Sequence, residues 1–139
     1  MARENKIELG KLFFEEGLPG FQSLQFFQLL QEDPDSPFFA LQSMEDESVS
    51  FWVVNPFVFF ADYEFTLQES SKQNLKLEGQ SPVFVLNVVT VRESGEVTVN
   101  LKAPIVVNQE KRMARQVILN DEKYAVRQPL FQLKSAVNE

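Results

Sequence analysis

The chain has 139 residues, 44% of them apolar and 14 of them phenylalanine, with 20 acids against 13 bases for a net charge of −7, and neither cysteine nor histidine. Lack of cysteine excludes disulfides, thiolate nucleophiles and Cys-ligated metal centres, and lack of histidine removes the usual neutral-pH general base and commonest metal ligand. The acidic balance disfavours tracking a phosphate backbone and favours a basic protein surface, so direct nucleic-acid binding is not expected.

In chain order, the N-terminus "MARENKIELG" carries charges where a signal peptide needs its apolar stretch. No apolar run approaches a membrane-spanning length, so a cytoplasmic address without membrane association is expected. Apolar periodicity predicts strands at 6–14, 25–31, 37–43 and 50–54. Between the first two, "EEGLPGF" (15–21) reads as a turn, because Gly17, Pro19 and Gly20 set turn dihedrals. After an Asn55–Pro56 turn, "NPFVFFADYEF" (55–65) predicts a strand over 57–66. On that reading Phe57, Phe59, Ala61, Tyr63 and Phe65 share a core face, while Val58, Phe60, Asp62 and Glu64 share the other.

"QESSKQNLKLEG" (68–79) predicts a short helix with Ser70 or Ser71 as N-cap and Gly79 as the stop. "PVFVLNVVTV" (82–91) is apolar on both parities, as a strand covered on both sides should be, and "RESGE" turns it into an antiparallel partner over 97–102. Pro104 breaks that ladder, so a bent strand resuming at Ile105–Asn108 is expected. The charged "NQEKRMA" then leads to a strand at 115–119. With no internal repeat or linker, 1–139 reads as one all-β domain: a small closed or partly closed antiparallel β-barrel-like fold with one or two short helices.

The second face of 57–65 is half apolar and half acidic. Either the short helix or the C-terminal tail covers it, or it is a protein-docking patch that Trp52 and Val54 extend across the Asn55–Pro56 turn. The candidate partner-binding residues are Trp52, Val54, Val58, Phe60, Asp62 and Glu64. Asp62 and Glu64 also invite a carboxylate-pair hydrolase reading, but nothing around them supports it. Asp33/Asp35 and Glu45/Asp46/Glu47 lack calcium-loop spacing and read as solvated loops. The five glycines form no phosphate-cradling loop. Lys111, Arg112 and Arg115 are too few for a nucleic-acid footprint and read as a solubilising hairpin end. No catalytic residue, metal or cofactor is expected.

Several segments together resemble one family. "EEGLPGF", "PFFALQSMED", "FWVVNPFVFFADYEF", "VLNVVTV", "VNLKAPIVVN", "RQVIL" and "YAVRQPL", in this order between about residues 13 and 130, are similar to the flagellar assembly factor FliW family. The resemblance implies a catalytically inert, barrel-like cytoplasmic protein, monomeric when free, with two alternative partners: flagellin before export, and CsrA, an RNA-binding translational repressor of flagellin. Binding CsrA would prevent repression, and accumulating flagellin would displace it, matching synthesis to secretion. The chain departs from the family pattern in its sparsely apolar "QESSKQNLKL" and in Gln128, where the family pattern has histidine.

Overall fold

The computed structural model describes residues 7–133. Alternating apolar and polar side chains set most of its strands. In chain order these are β1 (Ile7–Phe14), β2 (Phe26–Gln31), β3 (Phe38–Ser43), β4 (Ser50–Val54), β5 (Val83–Val91), β6 (Glu96–Val99), β7 (Ile105–Asn108), β8 (Met113–Gln116) and β9 (Gln128–Gln132). One α-helix, α1 (Glu69–Asn74), occurs among the described residues. Position 6 of the first expected strand and the tail beyond 133, one of the expected covers of the outer face, lie outside them.

Hydrogen bonding runs in the order β4-β3-β2-β1-β8-β7-β5, and a further β4–β5 pairing closes these strands into a barrel. β6 and β9 continue from β5 outside the ring. Closure removes the open ladders of the seven ring strands, leaving β9 as the strand with a free edge. The pairings are antiparallel apart from the joint between β1 and β8, where Phe13 meets Met113 and Phe14 meets Ala114 in parallel.

Leu12, Phe14, Phe27, Leu41, Val53 and Ile105 fill the barrel interior. A second apolar cluster lies outside the barrel wall, where Val54 and Val89 meet Val97, Val99, Leu101 and Tyr63. β5 serves both: Phe84, Leu86 and Val88 pack with the interior, Val85 and Val89 with the outer cluster. That double duty is why its sequence is apolar on both parities.

β6 and β7 share one edge of β5. Val89 pairs with Val99 and Leu86 with Ile105, so three steps along β5 face six along the partner chain, and three residues loop out before Pro104 allows pairing to resume. The bend expected at Pro104 is present, although the strand before it ends at Val99 rather than at 102.

Other expectations are corrected. β8 spans Met113–Gln116, not 115–119, and β9 has no counterpart among the expected strands. α1 is shorter than 68–79: its N-cap is Gln68, without a side-chain bond, rather than Ser70 or Ser71. It ends before Lys76, which is left-handed at φ 55°, well short of Gly79. Asn108 supplies that end, its Nδ2 donating to the carbonyls of Leu75 at 2.8 Å and Lys76 at 3.3 Å. The two arginines of the basic cluster are structural, while Lys111 is exposed. Arg112 donates from Nη2 to the Leu9 carbonyl (2.6 Å) and from Nε to that of Lys11 (3.2 Å), bracketing the β1 bulge at Gly10, while Arg115 pairs with Glu16 at 2.8 Å.

Candidate functional site

The aromatic stretch after β4 coils instead of extending, so the expected strand over 57–66 does not form. Asn55 Oδ1 accepts from the Phe57 N–H at 3.0 Å, Pro56 occupies the first turn, and a 3-10 turn spans Pro56–Val58. The Phe60 N–H then donates to the Pro56 carbonyl and that of Tyr63 to the Phe60 carbonyl, continuing the coil. Period-two parity therefore fails. Phe57 and Phe59, expected in the core, are 44% and 37% exposed, and Ala61 is exposed, whereas Tyr63 is buried.

Tyr63 anchors the segment. Its hydroxyl donates to the Leu101 carbonyl at 2.6 Å and accepts from Asn87 Nδ2 at 3.2 Å, and the same Nδ2 donates to the Asn100 carbonyl at 2.8 Å. Those carbonyls lie where the chain leaves β5, after the Asn100 N–H has donated to the Val88 carbonyl, so Asn87 and Tyr63 satisfy backbone groups that the ladder leaves unpaired. Burial pushes the Tyr63 hydroxyl pKa up to about 12. Tyr124 packs edge-on at 4.8 Å and exchanges hydrogen bonds with the Glu64 backbone at 3.0 Å.

An accessible apolar surface lies beside this anchor. β3, β4, β5, β6 and β9 present their outer faces around an open groove of about 410 Å³, whose lining includes Phe38, Trp52, Val89, Val91, Phe131 and Leu133. Trp52 and Val91 are each 50% exposed and Phe131 40%. Phe38 links the parts: its ring lies 6.1 Å from that of Phe131 and 6.0 Å from that of Phe59 on the coil. The charged residues lining the groove, Glu32 and Asp33, are both acids.

The six candidate residues do not form one face. Trp52 lines the groove. Val54, although it shares parity with Trp52, is fully buried, because the coil's Tyr63 and the β6 valines cover that end of β4. Val58 is exposed on the 3-10 turn, Phe60 is half-buried against the outer cluster, and Asp62 and Glu64 point to solvent. Phe38, Phe131 and Leu133 were not among the candidates; the apolar residues of "PLFQL" (129–133) were the available signal.

The other acids shape loops. Asp33 Oδ1 accepts from the Asp35 N–H, and Glu45 Oε1 from the N–H groups of Gln25 and Phe26. Asp46 accepts from the Ser48 hydroxyl and N–H, which hold its carboxyl below the usual range. Among the described residues no His, Cys, Asp or Glu group is arranged to hold a metal, and no helix is long and apolar enough to cross a membrane.

Fold and groove define a class: a small, nearly all-antiparallel closed β-barrel with a strand pair folded against its outside and an aromatic groove between them. The model of the FliW protein family matches residues 2–130, and the chain belongs to that family. Flagellar assembly factor FliW of Bacillus licheniformis is 45% identical over 120 residues, covering 86% of this chain and 84% of that protein. The Bacillus subtilis and Clostridium tetani proteins of the same name are 43% and 40% identical over 120 residues, covering 86% of this chain and 84% and 83% of theirs. A crystal structure of the flagellar assembly factor FliW superposes with a TM-score of 0.81 at 37% identity, covering 90% of each chain.

Proposed function

We propose that this chain acts in flagellar assembly as a binding protein without catalytic chemistry, engaging flagellin before export and, alternatively, the translational repressor CsrA, in the cytoplasm. Kinship with proteins named flagellar assembly factors supports the assembly role. The observation that carries binding is the groove, which keeps the chain's one tryptophan half exposed beside Phe131 on a closed scaffold. Partly exposed aromatics in a concave setting, ringed by polar groups, are the usual anchors of protein interfaces. With a net charge of −7 the chain suits a basic partner, and occupancy by flagellin frees CsrA to repress flagellin translation.

Calorimetric titration of the purified chain with flagellin and, separately, with CsrA tests this reading. Saturable heat with each, and loss of the CsrA complex as flagellin is added, is expected. No heat and no co-elution with either protein overturns it.

A further inference from the structure

We infer that the groove is built to receive an amphipathic helix whose apolar face ends in lysine or arginine, docked by side chains rather than by strand addition. This rests on the proposed reading that the groove is a partner-binding site, and adds the chemistry of the occupant.

Charge selects the occupant's class. The lining is apolar apart from Ser36, Glu32 and Asp33 and carries no lysine or arginine. An anionic lipid surface or a phosphate backbone would meet repulsion there, and so would a second copy of a chain whose net charge is −7. A cationic polypeptide is drawn in.

Backbone geometry selects the docking mode. β9 is the terminal strand beside the groove and the natural template for an added strand. It is a poor one: it is short, Pro129 lacks an N–H, and its register slips opposite Val97/Thr98. The side chains are better placed. Trp52, Val89 and Phe131 line an opening of about 410 Å³, too small to enclose a helix but within the range of pockets that take inserted apolar groups. Leucine-like anchors one and two turns apart on a single helix face match such an opening.

Trp52 is the chain's sole tryptophan and reports occupancy directly. The probe is a synthetic helical peptide of about 18 residues, with leucines at i, i+3, i+4 and i+7 and lysines at one end of that face, titrated into the full chain. Expected results are a saturable blue shift of Trp52 emission and protection from acrylamide quenching. A version with glutamates in place of the lysines should bind about tenfold or more weakly. Phe131→Ser should weaken the lysine peptide by a similar factor, and so should Glu32→Lys combined with Asp33→Asn, which keeps the acceptor that Asp33 offers to the Asp35 N–H. These positions are exposed, and circular dichroism checks that the variants fold.

The inference is overturned if the lysine peptide leaves Trp52 emission unchanged, if both peptides bind equally, or if Trp52 is shielded instead by self-association seen in sedimentation. Should flagellin and CsrA bind while the peptide does not, the helix assignment falls alone. Should the peptide bind while neither protein does, the helix assignment stands and the proposed partners fall.

Discussion

The hydroxyl of Tyr63 joins three parts of the chain: its own coil, Asn87 of β5 and the Leu101 carbonyl of the looped-out residues. Tyr63→Phe should destabilise the fold by about 1–3 kcal/mol, because a buried carbonyl loses its donor while the ring volume is kept. Urea unfolding measures this. The variant should also change the alkaline limb. Unfolded, the phenol loses its proton near pH 10; folded, it holds the proton to about 12. Between those values the unfolded state binds fewer protons, so stability from this group is complete below pH 10 and falls as pH rises, by on the order of 2 kcal/mol across the window. The wild-type minus Tyr63→Phe stability difference, followed from pH 9 to 12, should shrink accordingly; a constant difference contradicts the assignment. Tyr63 was legible as a core residue, but only through a strand that does not exist. Phe57 and Phe59 were misplaced by the same parity, since Asn55 caps a turn that Pro56 starts.

At the scale of elements, strands whose neighbours impose one dry and one wet face could be read from sequence: 50–54 has the bounds expected, and 37–43 differs from β3 by one residue. β5 was legible from its two apolar parities, and its bent partner from Pro104. β9 was not, because an edge strand with a proline and a register slip has neither full alternation nor full burial. The parallel β1–β8 joint was also hidden, since it depends on barrel closure rather than on local pattern. α1 shows how tertiary contact replaces propensity. Its interior residue Ser71 is buried, and its C-terminal carbonyls are held by Asn108, which also accepts from the N–H groups of Glu110 and Lys111. Asn108→Leu should cost about 1–3 kcal/mol through those stranded groups. It should also speed amide exchange at Lys72, Leu75 and Leu77 more than in β1 or β2, as measured by hydrogen exchange. Uniform acceleration would contradict an anchoring role.

At the scale of the whole molecule, closing the barrel leaves the outer wall free to carry the second apolar cluster, and the groove is a part of that wall left uncovered. Sequence parity located one of its residues, Trp52; the rest come from strands distant in sequence that only the topology brings together. The net charge acts at this scale too. Association with a basic partner should slow steeply as salt is raised from about 0.05 to 0.5 M, since the Debye length falls from roughly 10 Å at 0.1 M toward 3 Å at 1 M. Stopped-flow mixing with CsrA measures this, and a salt-independent rate constant contradicts steering. If the proposed binding to CsrA hinders RNA by long-range repulsion of phosphate, that hindrance should weaken as salt is raised; hindrance insensitive to ionic strength contradicts repulsion.

The most direct test of a binding role for the groove is calorimetric titration of flagellin into the wild-type chain and into a folded Trp52→Ala variant, side by side. Saturable binding to the wild type that weakens at least about tenfold in the variant is the expected result. Equal affinity in both would contradict it.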